Sequence, residues 1–302
     1  MPEFPEVETI RKGLERTIVG KKISDVKVRL PKIVSMGPRT VSNIRNAHPA
    51  KTKLFRKLLL GQKILSVKRR AKMLMIDVTG PLTILVHLKM TGQLIFAKKG
   101  ERKIIKILNL PNARREVLPH KHTHVIFRFS NGSRLYYNDM RQFGYLRLVT
   151  DKELPAVREL VEYGPEHGDL TLNYLLAKAK SRPKLAIKLF LMDPRIVAGI
   201  GNIYSDEILY WAKIRPARKL RSLSRGNMAA IFRAIPKVLR AALQAQGSSV
   251  GDFFKVDGTE GRYGRVHMVY GRYGERCRKC GSVILSVKLG GRTGSYCPLC
   301  QK

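Results

Sequence analysis

The chain has 302 residues, enough for two domains that each bury a core. Its 59 Lys and Arg against 22 Asp and Glu give a formal net charge of +37. That excess predicts a polyanionic partner, with nucleic acid the best match and adaptation for solubility the alternative. Since no apolar run reaches the length of a membrane span and no signal-peptide core follows Met1, we expect no membrane partner and a reducing, intracellular compartment.

The first eight residues carry three carboxylates, Glu3, Glu6 and Glu8, in a chain otherwise rich in cations. Pro5 suits the first turn of a helix, and apolar residues recur at helical spacing over 7–18. A capped surface helix explains this pattern. A second hypothesis starts from the removal of Met1, which leaves the next residue with a secondary amine that can form an iminium.

Alternating apolar and polar residues predict strands over 21–36, over 64–96, and at His124–Phe129 and Arg134–Tyr137. Between the last two lies Asn131-Gly132, a hairpin signal. Residues 36–60 read as a turn and a basic helical piece, and residues 97–119 as a flexible insertion. The front half is therefore mostly β after one leading helix, as a sandwich or a barrel.

Three functional hypotheses concern this β half. The basic run Lys68–Lys72 is either a solvated strand end or a functional cation cluster. His120, His122 and His124 are predicted to alternate along one strand face, where a phosphate contact is favoured over a metal site. Met90 and the turn Asp139–Gly144 are either core residues or wedges that fill a gap in a base stack.

The second half is predicted to be helical. Residues 151–168 form a linker, and helices are expected at 171–180, 184–192, 203–212 and 224–245, with Pro236 kinking or dividing the last. The glycine pair before Asn202 predicts either a plain helical corner or a phosphate site at a helix N-terminus, with Asn202 as the N-cap. Residues 247–264 are rich in Gly and Ser and are predicted to be mobile.

All four cysteines lie near the C-terminus, as Cys277-x-x-Cys280 and Cys297-x-x-Cys300. This spacing predicts one structural Zn²⁺ with four thiolate ligands, against the alternatives of two disulfides or unrelated thiols. The intervening residues read as a β-hairpin, with Arg292 at its tip, where a guanidinium can reach a phosphate.

Together these motifs resemble the bacterial formamidopyrimidine-DNA glycosylase family. The resemblance rests on segments spread over nearly the whole chain in the family's order: 2–9, 69–72, 87–90, 121–124, 139–144, 199–204, 269–271 and the four-cysteine ribbon with Arg292. It implies an α+β multidomain fold, in which an N-terminal β-sandwich (1–150) and a linker (151–168) precede a helix–two-turn–helix region (169–262) and a zinc β-hairpin (263–302).

The resemblance also implies a bifunctional DNA glycosylase and AP lyase that removes oxidised purines from DNA. Pro2 would attack C1′ of the damaged nucleotide, and Glu3 would donate a proton. Lys72 matches the family's β-elimination lysine, and Arg292 its δ-elimination arginine. The DNA-contacting residues implied are His122, Arg141, Lys184 and Asn202, with Met90, Arg141 and Phe143 filling the void left by the extruded base.

The remaining expectations are a monomer that binds damaged double-stranded DNA, uses no nucleotide cofactor, and is cytoplasmic and nucleoid-associated. This chain departs from the family at Phe4, Met140 and Gln142, where Leu, Pro and Arg are usual, and in insertions near 36–52 and 97–119. Two alternatives remain: a relative of the endonuclease VIII type that prefers oxidised pyrimidines, and a zinc-ribbon protein that binds DNA without catalysis.

Overall fold

The computed structural model describes residues 1–39, 49–107, 113–251 and 253–302. The predicted insertions near 36–52 and 97–119, and the loop predicted at 247–264, lie partly outside these ranges. None of the helices in the described ranges is long and apolar enough to cross a membrane.

Residue contacts divide the chain into two compact units. Unit 1 comprises Met1–Val161 and Gln246–Gly261, and unit 2 comprises Glu162–Ala245 and Arg262–Lys302. This grouping differs from the sequence prediction, which placed 247–262 with the helical region and residues 151–168 in a linker.

The elements of the described ranges are as follows. The helices are α1 (Phe4–Ile18), α2 (Pro49–Leu59), α3 (Arg158–Val161), α4 (Leu172–Lys180), α5 (Ile187–Met192), α6 (Asn202–Trp211) and α7 (Arg225–Gln244). The strands of unit 1 are β1 (Ile23–Val28), β2 (Val34–Met36), β3 (Ile64–Arg70), β4 (Met73–Val78), β5 (Leu82–His87), β6 (Gly92–Ala97), β7 (Ile104–Lys106), β8 (Arg115–Val117), β9 (Thr123–Phe129), β10 (Arg134–Asp139) and β11 (Tyr145–Thr150). Those of unit 2 are β12 (Leu285–Leu289) and β13 (Arg292–Tyr296).

Unit 1 is the predicted β-sandwich. In its described part, a sheet in the order β1-β9-β10-β6 and another in the order β2-β11-β5-β4-β3 contribute to one apolar core. Nearly all the pairings are antiparallel, and β2 runs parallel to β11. The apolar face of α1 enters the same core through Val7, Ile10, Leu14 and Ile18, as its spacing predicted.

The predicted hairpin between β9 and β10 is confirmed, with Gly132 at φ +82° in its turn. The prediction for the histidines is wrong in part. Strand β9 begins at Thr123, so that only His124 lies on it, while His120 and His122 precede it in a turn. Within this turn His122 donates its backbone N–H to His120 Nδ1 at 3.0 Å, and Thr123 donates its own to the His120 carbonyl oxygen at 3.1 Å.

The insertion near 97–119 contains regular structure in its described part. Strands β7 and β8 pair antiparallel, with Ile105 opposite Glu116. Ile105 and Leu118 are buried in a small apolar cluster of unit 1. The sequence prediction of an unstructured insertion missed this hairpin because three-residue strands are too short to show periodicity.

Unit 2 contains the helices after Val161 and the cysteine hairpin. Helix α7 runs without interruption through Pro236, so this residue does not divide the helix, and a kink there stays a prediction. Helix α5 begins at Ile187, three residues later than predicted, which leaves Lys184 in the preceding turn. The predicted cysteine hairpin is confirmed. Leu289 lies opposite Arg292 across Gly290-Gly291, and both glycines have positive φ.

Candidate active site and metal centre

The N-terminus of unit 1 is buried at the residues predicted to be reactive. Pro2 and Glu3 are both buried, and Glu3 is only 2% exposed. Glu3 is the N-cap of α1, and its backbone N–H donates to Glu6 Oε2 at 2.9 Å. The other oxygen of Glu6 accepts the backbone N–H of Ser248 at 2.8 Å. Glu6 therefore holds both the start of α1 and a segment from much later in the chain.

Lys72 lies in the two-residue turn between β3 and β4, where the preceding Ala71 adopts φ +53°. Arg69 connects this hairpin to α1. Its Nε donates to Glu8 Oε2 at 3.1 Å, and its guanidinium lies 4.4 Å from the centre of the Phe4 ring. The β3–β4 hairpin, which carries Lys72, therefore packs against the first turns of α1, the helix that follows Pro2 and Glu3.

The pKa of Glu8 shows the balance of forces at this junction. Burial raises the pKa of its carboxyl, but hydrogen bonds from Arg11 and Arg69 outweigh burial, so that the pKa lies below its usual value. Glu8 therefore stays ionised and keeps both arginines in place. Glu8 lies 61 residues before Arg69 in the chain, so no local pattern predicts it as a partner of the basic run at 68–72.

The turns that carry the predicted wedge residues are joined by Asp139. One of its carboxylate oxygens accepts the hydroxyl of Thr91, and the other accepts the backbone N–H of Gly144 at 2.7 Å. Arg141 also donates its backbone N–H to the Thr91 hydroxyl at 2.9 Å. Because Thr91 follows Met90 directly, these bonds bring the turn of Met90 beside the turn that contains Arg141.

The side chains on these turns are presented outwards. Phe143 is 54% exposed, and the Arg141 guanidinium lies 4.7 Å from the centre of its ring. Gly144 permits the fold of the turn, since a Cβ there would lie 2.8 Å from the carbonyl oxygen of His87. Gln142, one of the departures from the family pattern, has φ +57°, a conformation that most side chains avoid.

The buried histidines of unit 1 have pKa values below the usual value of an imidazole. Burial, together with the neighbouring cations Lys89 and Lys72, lowers the pKa of His87 to about 3. Its Nδ1 accepts the backbone N–H of Lys89 at 3.0 Å. Burial also lowers the pKa of His120 to about 4. Of the predicted histidines, His122 is the one whose side chain is half-exposed.

In unit 2, Gly201 and not Asn202 is the N-cap of α6, and Asn202 is the first helical residue. The Asn202 side-chain oxygen is buried, and no residue in the described part of the chain donates a hydrogen bond to it. Lys184 is exposed in the turn before α5. Arg292 is exposed at the tip of the cysteine hairpin.

Two adjacent carboxylates of α6, which the sequence analysis missed, anchor the C-terminal segment. Asp206 accepts the backbone N–H of Ser295 at 2.9 Å and pairs with Lys188 at 2.7 Å. Glu207 accepts the backbone N–H groups of three successive residues, 268–270. The signal that would have revealed them is an acidic pair within an otherwise apolar helix.

The four cysteine sulfurs lie within 4.8 Å of one another. The Sγ atoms of Cys277 and Cys300 are 4.0 Å apart, and those of Cys280 and Cys297 are 3.4 Å apart. A tetrahedral ion with thiolate ligands at about 2.3 Å requires sulfurs separated by about 3.8 Å. The cluster therefore fits one structural metal ion, and its four protein ligands leave no open position for a substrate.

Known proteins of one family resemble this chain along its whole length. Models of the formamidopyrimidine-DNA glycosylase N-terminal domain, its H2TH domain and the zinc finger found in FPG and IleRS match residues 1–146, 163–253 and 274–302. A formamidopyrimidine-DNA glycosylase of Carboxydothermus hydrogenoformans is 38% identical, with 100% of each chain covered. A Lactococcus lactis FPG variant in complex with Fapy-dG-containing DNA has a TM-score of 0.83 at 29% identity and full coverage of both chains. The wild-type Lactococcus lactis protein with an oxidised-pyrimidine-containing DNA has a TM-score of 0.82, with the same identity and coverage.

Proposed function

The chain belongs to the formamidopyrimidine-DNA glycosylase family, and on that premise we propose that it is a bifunctional DNA glycosylase and AP lyase of base excision repair. Its substrates are oxidised purines, such as 8-oxoguanine and formamidopyrimidines, in double-stranded DNA. The observation that carries this proposal is the buried start of α1, where Pro2 and Glu3 directly precede Phe4, whose ring lies 4.4 Å from the Arg69 guanidinium in the hairpin of Lys72.

The proposed reaction begins at the Pro2 nitrogen once Met1 has been removed. An α-amine has a pKa of about 8, so an unprotonated fraction exists near neutral pH without a dedicated base. The amine attacks C1′, the glycosidic bond breaks, and the damaged base leaves. Glu3 donates the proton that assists base loss and opening of the sugar ring, which gives an iminium between Pro2 and C1′.

Strand cleavage follows by β- and δ-elimination. Lys72 acts in the first step, which breaks the bond to the 3′ phosphate, and Arg292 acts in the second, which breaks the bond to the 5′ phosphate. The attachment of the Lys72 hairpin to α1 through Arg69 supports the first role, because it fixes the lysine relative to Pro2.

DNA binding is assigned to the exposed and half-exposed polar residues. His122, Arg141, Lys184 and Asn202 contact phosphates, and Met90, Arg141 and Phe143 enter the duplex when the damaged nucleotide is extruded. The role of Met90, Arg141 and Phe143 is supported by Asp139, which joins the turns that carry them. For Asn202 the donor to a phosphate is the side-chain NH2 group, because an amide oxygen only accepts hydrogen bonds.

One Zn²⁺ bound by Cys277, Cys280, Cys297 and Cys300 holds the C-terminal hairpin, a structural role that the four-thiolate donor set supports. The enzyme acts as a monomer, without a nucleotide cofactor, in the cytoplasm among nucleoid DNA. The formal charge of +37 predicts affinity for DNA that falls steeply with salt concentration.

Reduction with borohydride tests the nucleophile. The processed protein, incubated with duplex DNA containing 8-oxoguanine, should give a covalent protein–DNA adduct, and peptide mapping should locate it at Pro2. The matched control is the same chain with Met1 retained, in which the Pro2 nitrogen is a tertiary amide. It should give no adduct and no strand cleavage. Cleavage by the processed protein without a trapped adduct would rule out the imine mechanism.

A comparison of substrates tests the specificity. We expect faster release of 8-oxoguanine than of thymine glycol, and the reverse order would favour the oxidised-pyrimidine alternative. Glu3→Gln should slow base release strongly while DNA binding persists. If Glu3→Gln and Met1 retention both left every activity unchanged, the chain would be a DNA-binding protein without catalysis.

A further inference from the structure

Strand β7, in the insertion that departs from the family pattern, contacts the segment 246–261, of which residues 246–251 and 253–261 are described. The Lys106 ammonium lies 3.2 Å from Glu260 Oε1. Ile105 packs with Phe254 in an apolar cluster in which both side chains are almost fully buried. Gly258 has φ +82°, and a Cβ there would lie 3.1 Å from Ile105 Cγ2. Charge, apolar packing and close backbone approach thus connect the hairpin to this segment.

The same segment is attached to the sandwich. The backbone N–H of Phe96 donates to the carbonyl oxygen of Val256 at 2.8 Å. Val256 packs so closely on α1 that a Cβ at Gly13 would lie 2.9 Å from its Cγ2. The hairpin, the segment and α1 therefore form one packed series within unit 1.

The first residues of the segment lie beside the helix start that carries the residues proposed to be reactive. Ser248 donates its backbone N–H to Glu6, whose other carboxylate oxygen accepts the backbone N–H of Glu3. Gly247 has φ +85°, and a Cβ there would lie 3.0 Å from Glu6 Oε1. A displacement of the segment therefore acts directly on the carboxylate that caps the helix beginning at the catalytic residues.

We propose that hairpin β7–β8 is a clamp that holds segment 246–261 against the start of α1, and that Ile105 and Lys106 are positioning residues for base removal. This rests on the proposed function. Before Pro2 attacks C1′, the base is still attached to that carbon, so a segment at the N-cap of α1 lies near the base during the first step. An abasic site has no such group, so the clamp affects base release and not cleavage of an abasic strand.

Charge reversal tests the clamp on the full chain with its metal. Lys106→Glu and Glu260→Lys each place two like charges opposite each other where the wild type has an ion pair. The double variant restores an ion pair, with the two charges exchanged between the positions. The matched control is Arg102→Glu, which makes the same charge change in the same insertion at an exposed residue with no ion pair in the described chain. It also controls for the general effect of charge on DNA binding.

Two rates are measured under single-turnover conditions, base release from 8-oxoguanine duplex and strand cleavage at a preformed abasic site. Each single reversal should slow base release about three- to fivefold, the effect of a partly exposed ion pair, and leave abasic cleavage unchanged. The double variant should recover base release. Equal slowing on both substrates, or no recovery in the double variant, would overturn the clamp.

Amide hydrogen exchange distinguishes this inference from the proposed function. Peptides that cover 253–261 should exchange faster in each single variant and return to the wild-type rate in the double variant. Unchanged exchange would overturn the clamp whatever the activity. A wild-type protein inactive on both substrates would refute the proposed function, while the exchange data would still report whether the hairpin holds the segment.

Discussion

Glu6 in unit 1 and Asp206 in unit 2 are buried carboxylates that each accept a hydrogen bond from a distant backbone N–H. Glu6 accepts the backbone N–H of Ser248, and Asp206 accepts that of Ser295. They differ in position on their helices. Glu6 lies in the first turn of α1, where free N–H groups and the helix dipole favour negative charge. Asp206 lies beyond the first turn of α6, where that support is absent, and there Lys188 provides the opposite charge.

The difference shows in the pKa of Asp206. Burial raises the pKa of Asp206 to about 6, even though the Lys188 ammonium acts in the opposite direction. Both side chains of this pair are fully buried. Glu6 is thus stabilised by backbone N–H groups at a helix start, whereas Asp206 has the Lys188 ammonium in addition to the N–H of Ser295. Unit 2 adds a further constraint, the metal centre, to hold its hairpin.

The largest effect is expected from loss of the metal. Chelation, or Cys297→Ala, should release the C-terminal hairpin, because structural zinc contributes about 10–16 kcal/mol in small zinc domains. Amide exchange over residues 277–302 should rise, while exchange in the sandwich stays unchanged. Leu299→Ala, at an exposed residue of the same knuckle, is the control. A simultaneous rise in the sandwich would contradict independent stabilisation of the two units.

The Lys188–Asp206 pair should be the next most sensitive feature. Lys188→Met or Asp206→Leu alone should lower the free energy of unfolding by about 3–5 kcal/mol, because each leaves a buried charge uncompensated. The double variant should lose less than the sum. Denaturant unfolding measures all three, with Arg195→Met in an exposed ion pair as the control. Additive losses would mean that the two charges are not coupled.

Acid should weaken unit 1 through its neutral histidines. The pKa of His87 falls from 6.5 to about 3 on folding. The neutral side chain therefore contributes fully to the free energy of unfolding above pH 6.5, and this contribution is lost as the pH falls toward 3. Between those limits each such histidine changes the free energy of unfolding by up to about 1.4 kcal/mol per pH unit. Unfolding measured from pH 7 to 4.5 should show a smaller slope in His87→Gln than in wild type. An unchanged slope would contradict burial of a neutral imidazole.

The smallest effect is expected at Glu6. Glu6→Gln keeps one acceptor oxygen and should cost less stability than Glu6→Ala, which leaves two N–H groups without this acceptor and should cost about 1–3 kcal/mol. Exchange at Ser248 should rise in both. A loss at Glu6 as large as that in Lys188→Met would contradict the view that the helix start already stabilises this carboxylate.

Local patterns were sufficient for several elements. The period of apolar residues in α1, the Asn131-Gly132 turn and the paired cysteines each depend on neighbours within a few residues, so the sequence predicts them directly. The same patterns failed where a short element depends on distant contacts. Ile105 of strand β7, for example, is buried in an apolar cluster that includes Phe254, far away along the chain.

The sequence by itself determined the sandwich with its leading helix, the helical second half, the cysteine hairpin and the residues proposed for catalysis. Only the tertiary structure decided how those residues are held: Arg69 between Glu8 and Phe4, Asp139 between two turns, and Glu6 between Glu3 and Ser248. The physical reason is that a carboxylate has the same local signature whether it is solvated or buried. Its partners are set by the packing of segments that lie up to 242 residues apart.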